Sequence, residues 1–230
     1  MKKCLAALAL FLTMSVPPSY AQTYTLDQVL AKLDQTGKNF KSLEAGIART
    51  KVTILVNDRS TDTGKIYVSR QGDTTRAKID FTAPTPQSLL LDKGKALLYY
   101  PKVKQAQEFD LGKGSGSKAA GFFLMGFAQS GGDLKRDYDA ALVGSEVIDG
   151  QKTTMLELKP KSKELAANIK SITLWLDEQR WIPLQTKHAE ASGDYQISKL
   201  SNIKLNAGVP NSVFTLKIPS DVKISKGGSF

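Results

Sequence analysis

The stretch Gly64–Leu111, GKIYVSRQGDTTRAKIDFTAPTPQSLLLDKGKALLYYPKVKQAQEFDL, decides the fold. Side chains alternate along a strand, so Ile66, Val68 and Arg70 share a face of its first segment. In TRAKIDF, Ala77, Ile79 and Phe81 point one way, and Arg76, Lys78 and Asp80 the other. Residues Ala96–Tyr100 are apolar on both faces, and a strand coated on both sides needs a cover on both sides. A curved sheet with an apolar concave face meets that demand. Such a face can also enclose an apolar guest. Turns at Gly72-Asp73, Asp92-Lys93-Gly94 and Pro101-Lys102, with Pro84 and Pro86, cut the stretch into short strands that include Leu89–Leu91 and Lys104–Leu111.

Upstream, residues 25–41 predict a helix. Thr25 and Gln28 have capping-box spacing, and Leu26, Val29, Leu30, Leu33, Gly37 and Phe40 form one apolar stripe for packing on a sheet. From residue 44 the period becomes two. Val52, Ile54 and Val56 alternate with polar neighbours, and the polar run after Asn57 reads as the turn of a hairpin pairing 44–57 with 64–71. Downstream, Leu142–Ile148 and Thr153–Lys159 flank the hairpin turn Asp149-Gly150, and a short helix is expected near 162–168. Ile172–Asp177, Ile182–Ala189 and Tyr195–Asn206 follow as strands, and Phe214, Leu216 and Ile218 read as a last one. About ten antiparallel strands predict an incomplete, strongly curved β-barrel with an N-terminal helix and short lid helices. Its expected cavity wall is Val52, Ile54, Val56, Ile66, Val68, Ala77, Ile79, Phe81, Leu89, Leu91 and Leu98.

Two features stand out against this frame. Between GKGSGSK (112–118) and Ser130-Gly131-Gly132, two glycine-rich hinges, lies AAGFFLMGF. Phe122, Phe123, Leu124, Met125 and Phe127 form either a plug in the core or a lid over the cavity; a lid that fills an empty cavity is both. Arg70 is the one polar side chain on the apolar face. It either snorkels to water at the strand end or meets backbone carbonyls at a helix end, for which 119–127 is a candidate.

Residues 1–21 read as a cleaved export signal: Lys2 and Lys3, an apolar core Leu5–Met14, and Ser19-Tyr20-Ala21 before Gln22. The remainder, residues 22–230, is expected to be a single domain. Cleavage removes Cys4, the only cysteine, and lowers the formal charge from +10 to +8 as Lys2 and Lys3 leave. The mature chain then has neither disulfide nor thiol nucleophile, and one histidine, His188, cannot build a common zinc site. No G-x-S-x-G elbow and no phosphate-loop spacing occur, and aromatic residues do not interleave with lysines as a nucleic-acid platform needs. No catalytic residue, metal or cofactor is expected.

The chain resembles the LolA-type outer-membrane lipoprotein carriers. The shared features are the N-terminal helix, G-x-I-x-V-x-R at Gly64–Arg70, Ser88-Leu89-Leu90-Leu91, Gly94-Lys95 and Tyr100-Pro101. Further on come Ile172-x-Leu174-x-Leu176-Asp177, Pro183, Ile203-x-Leu205-Asn206 and Phe214-x-Leu216-x-Ile218-Pro219. The chain departs at Gln71, where proline is frequent, and at Leu98, where tryptophan is usual. The resemblance implies a monomeric, non-enzymatic periplasmic carrier that holds the acyl chains of lipoproteins, or of other lipids. An arginine matching Arg70 would latch the lid through backbone carbonyls until cargo releases it. It also implies transient contact with an inner-membrane donor complex and an outer-membrane acceptor. A lipid- or lipoprotein-sensing regulatory module with the same cavity is the alternative.

Overall fold

The computed structural model describes residues 24–72, 74–111 and 130–227. The export signal and the 119–127 segment lie outside these residues. Helix α1 (Leu26–Asn39) begins as its spacing predicts: the Gln28 amide donates to Thr25 Oγ1 (3.3 Å), and the Thr25 amide to Gln28 Oε1 (2.9 Å). Six strands follow: β1 (Ser42–Thr53), β2 (Asp58–Gln71), β3 (Thr74–Ala83), β4 (Gln87–Asp92), β5 (Lys95–Tyr100) and β6 (Gln105–Asp110). Helix α2 (Gly131–Asp137) leads into β7 (Tyr138–Ile148) and β8 (Gln151–Pro160). After the short α3 (Lys163–Ala166) come β9 (Ile169–Asp177), β10 (Pro183–Glu190), β11 (Tyr195–Leu205) and β12 (Lys223–Lys226).

Among the described residues, twelve strands join one sheet in the order β12-β6-β5-β4-β3-β2-β1-β11-β10-β9-β8-β7, whose ends do not meet. The fold is the expected incomplete barrel. Bulges in β1 (Glu44/Gly46), β2 (Thr63/Gly64), β7 (Leu142/Gly144) and β10 (Pro183/Gln185) help curl it, because each adds local twist. At the β2 bulge the strands nearly touch. A Cβ on Gly64 would overlap the Asp80 carbonyl, so only glycine fits there.

Three expectations need correction. The first hairpin turn lies at residues 54–57, not beyond Asn57: β1 and β2 stay paired from Ser42↔Ser69 out to Thr53↔Asp58. The polar run Asp58–Thr63 is therefore strand. It projects past the core, where neither face needs grease, and cross-strand polar pairs such as Thr50–Thr61 (Oγ1 to Oγ1, 2.9 Å) serve instead. Next, Phe214–Ile218 pairs with nothing in the sheet. Asn211–Phe214 is a 3-10 turn that docks on β3, with Asn211 Oδ1 accepting from Arg76 Nη2 (2.7 Å) and the Arg76 guanidinium 4.6 Å from the Phe214 ring centre. The last strand is instead β12, parallel to β6. Finally, Ser130-Gly131-Gly132 is the start of α2 rather than a hinge. Ser130 caps it with Asp133, and the Ser130 hydroxyl holds the Asp133 carboxyl below its ordinary pKa.

Two apolar clusters fill the concave side. Val29, Leu30 and Leu33 of α1 and Leu134 of α2 bury against Leu156, Leu158, Ile172 and Leu174 of β8 and β9. Beyond them, Phe40, Leu43, Ala45, Ile66, Val68, Ala77 and Leu91 form the second cluster around β1–β4. Helix α1 thus covers one half of the trough and leaves the other to the site below.

Candidate binding cavity

A cavity of about 310 Å³ opens in the concave face between β1–β4 on one side and β9–β11 on the other. Its wall has two characters. Ile47, Ile66, Ile79, Phe81, Leu89 and Leu200 supply hydrocarbon; Arg49, Thr186, His188, Glu190, Gln196 and Ser198 supply polar groups. Register explains the grouping. Arg49 pairs with Ser198, and Thr186 pairs with Ser198 from the other side, so the three side chains share a face across β1, β11 and β10.

Of the expected wall, Ile66, Ile79, Phe81 and Leu89 stand on the cavity. Val68, Ala77 and Leu91 share their face but are buried in the adjoining core. Leu98 lies opposite Leu89 in the ladder, half-buried and away from the cavity. Three residues are misplaced by the sequence reading. Val52 pairs with Arg59 and Tyr195, in phase with Glu44 and Lys204 rather than with Ile47, which puts it on the convex face. Ile54 and Val56 sit in the hairpin turn, 57% and 68% exposed. The lid residues Phe122, Phe123, Leu124, Met125 and Phe127 lie outside the described residues.

Sequence reasoning missed Arg49, the second arginine on the concave face. Its guanidinium grips Asp62 through Nη2 (2.6 Å) and Nε (3.1 Å) and lies 4.0 Å from the Phe81 ring centre. The alternation Leu43, Ala45, Ile47, Arg49 carries the signal. His188 faces the cavity beside Thr186, and burial pushes its pKa down to about 4, so it is neutral near pH 7.

Arg70 points inward, as the strand phase requires. Its Nη1 donates to the Gly37 carbonyl (2.5 Å) in the last turn of α1, and its guanidinium sits 5.7 Å from the Phe40 ring centre. This carbonyl belongs to the N-terminal helix; the candidate owner 119–127 lies outside the described residues. The same corner is stapled by Asn206. Its Oδ1 accepts from the Lys41 (2.7 Å) and Ser42 (3.1 Å) amides, and its Nδ2 donates to the Asn39 carbonyl (3.1 Å). The helix end is thereby fixed to β2 and β11 together.

A second recess of about 470 Å³ lies outside the trough, between α1 and the β9–β10 turn, and is lined mainly by polar groups such as Lys32, Gln35, Asn39 and Arg180. Among the described residues no group of three His, Cys, Asp or Glu side chains is placed to hold a metal ion.

An unclosed, helix-plugged β-trough with a part-apolar cavity is the architecture of a binding protein. Residues 28–217 match the family described as outer membrane lipoprotein carrier protein LolA, and the chain belongs to that family. Among solved structures, the fold is similar to an uncharacterized conserved protein from Thermus thermophilus (9% identity, 87% of this chain and 98% of that one, TM-score 0.55). It is also similar to a chain of the Pseudomonas aeruginosa MucA/MucB complex (15% identity, 84% and 61%, TM-score 0.52). The chain thus spans about three fifths of the latter's length. A search of curated proteins finds no match.

Proposed function

We propose that this protein is an exported, non-enzymatic carrier that shields the acyl chains of a lipoprotein or another lipid while they cross water. The observation that supports it is the cavity itself: six aliphatic and aromatic side chains from β1–β4 and β11 turned toward a common hollow. Burying a dozen methylenes at ~0.8 kcal/mol each is worth on the order of 10 kcal/mol per chain, so an unassisted tail does not leave a membrane at a useful rate. A hollow of about 310 Å³ is at the small end of ligand pockets, so in this state it suits part of one tail. Larger cargo requires displacement of whatever covers the trough. In this reading the signal 1–21 directs the chain to the periplasm. The mature monomer docks transiently on a donor at the inner membrane and an acceptor at the outer one. Lid residues 119–127 and the Arg70 tie compete with cargo.

The test is native mass spectrometry of the protein purified from its own envelope, followed by titration with a diacylated peptide. Co-purifying lipid or acylated protein, displaced by the peptide, is the expected result. A protein that leaves the envelope bare and ignores the peptide has no carrier role.

A further inference from the structure

The turn closing the β1–β2 hairpin holds three consecutive aliphatic side chains in water. Ile54 is 57% exposed, Leu55 93% and Val56 68%, while the other exposed large aliphatics among the described residues, Val103, Val143, Val147 and Ile224, are scattered. Exposed apolar side chains are ordinary one at a time; a contiguous set on a projecting tip points to a partner. The tip is firmly built. The Asn57 amide closes the turn on the Ile54 carbonyl (3.1 Å), and the Ile54 amide donates to Asp194 Oδ1 (2.9 Å) in the neighbouring β10–β11 turn. Below it the Arg49–Asp62 and Thr50–Thr61 pairs lock the two strands.

The collar beneath the tip carries exposed basic side chains and an aromatic ring. Lys51 and Arg59 are exposed on the two strands, and Tyr195 stands opposite Val52 with Lys187 Nζ 4.4 Å from its ring centre. Three acids lie nearby: Asp58, exposed beside Arg59; Asp194, engaged with the Ile54 amide; and Glu190, exposed in the same turn as Asp194. A narrow convex tip offers a folded partner little area. A fluid apolar phase closes around it, and an aromatic and basic ring matches the headgroup zone of an anionic bilayer.

We propose that Ile54, Leu55 and Val56 insert into the interface of a lipid bilayer carrying anionic headgroups, with Lys51 and Arg59 on the headgroups. Strand β1 also runs from the cavity to the tip: Ile47 and Arg49 line the hollow, and Arg49 to Ile54 spans roughly 17 Å of extended chain. Insertion therefore brings that end of the cavity to the membrane surface, where a tail could pass without entering water. This consequence rests on the carrier reading; the insertion does not.

The experiment is flotation of the full mature chain with vesicles of phosphatidylethanolamine and phosphatidylglycerol (3:1), and with phosphatidylcholine alone. The parent is expected to float with the anionic vesicles. Leu55→Glu should float at least tenfold less at an unchanged melting temperature, since its site is solvent. Lys51→Glu with Arg59→Glu should lose binding to anionic vesicles only. In Leu55→Trp, lipids brominated on the acyl chain should quench the new indole. A parent that stays at the bottom of the gradient overturns the proposal, as does a Leu55→Glu variant that floats like the parent or an indole left unquenched. A tip that captures a protein while the parent never floats overturns it too. Diacylated-peptide binding without vesicles should be the same in Leu55→Glu and parent; if the parent itself fails there, the carrier reading falls and the insertion stands.

Discussion

Arg49 puts a full charge on a concave wall otherwise rich in hydrocarbon, and Asp62 makes that tolerable. The two side chains are 17% and 14% exposed, so water screens them little. Removing the acid strands the guanidinium. Asp62→Ala is expected to cost ~2 kcal/mol, while Arg49→Met with Asp62→Leu should recover most of that by making the site wholly apolar. Urea midpoints of the three proteins decide this; a double variant no better than Asp62→Ala means the pair does not act as a unit. The pair escaped the sequence reading for a definite reason. Apolar residues occupy odd positions through Leu43, Ala45 and Ile47, then even ones through Val52, Ile54 and Val56. Each set has three members; the sequence reading takes its phase from the second, although the first is the inward one. A phase change inside one strand is itself the mark that one of the two sets leaves the core. His188 is a half-buried titratable group on the same wall. The unfolded chain takes a proton near pH 6.5, whereas the folded site refuses it until about pH 4. Its contribution is therefore whole above pH 7 and drains away as pH falls from 6.5 toward 4, by up to ~3 kcal/mol at 1.36 kcal/mol per unit. His188→Gln should flatten the stability–pH curve in that window, and an unchanged slope in urea titrations at pH 7, 5.5 and 4.5 would refute the assignment.

At the scale of elements, α1 is the piece with the most fixings. Its start was legible, because a capping box and a 3.6-residue stripe are local signals. Its neighbour α2 was not, because Ser130-Gly131-Gly132 reads as a loop until tertiary contact is known. Gly131 is there for proximity: a Cβ would come 2.6 Å from the Leu30 carbonyl oxygen, and its amide donates to Asp34 Oδ1 (2.7 Å). Gly131→Ala must push the helices apart and should destabilise by ~2 kcal/mol, although alanine is the better helix former. A melting temperature equal to the parent's would show that the helices part without cost. Arg70 works at this scale as well. Its charged donor adds a second hydrogen bond to the Gly37 carbonyl, which otherwise accepts a long one from the Phe40 amide (3.4 Å), and so pins α1 to β2. Arg70→Leu should raise amide exchange across 37–41 at least tenfold, with Arg70→Lys restoring part of the protection. If exchange there does not move, Asn206 alone holds the corner and a latch role for Arg70 loses its physical basis. That Arg70 faces inward could be read from Ile66 and Val68; which helix it meets depends on a long-range fold that no local pattern encodes.

For the molecule as a whole, the central fact is that the core is split. One cluster gathers α1 and α2 on β8 and β9, the other gathers around β1–β4, and the cavity lies where, among the described residues, the second half of the trough has no helix over it. Closing the barrel would require β12 and β7 to pair, and among the described residues they do not. The trough therefore stays open, and what fills it depends on side-chain volume. The general shape was legible, since many short alternating strands with both-face apolar stretches permit few other folds. The volume was not, because a hollow depends on which inward side chains are short, and alternation says nothing of length. This gives a test that separates a container from a scaffold. Leu89 is half-buried on the cavity wall, so Leu89→Trp adds an indole into the empty side. Filling a hollow without strain stabilises a fold, and the melting temperature should hold or rise by about 2 °C. Diacylated-peptide affinity should fall at least tenfold, because the same volume is no longer available to a tail. Two outcomes oppose this picture for different reasons. A variant that melts much earlier means the space is tighter than about 310 Å³ implies, and the wall is ordinary core. A variant that melts like the parent and binds the peptide as well as the parent places the tail elsewhere in the trough. Loss of binding at constant stability is what a cavity kept open for a guest requires.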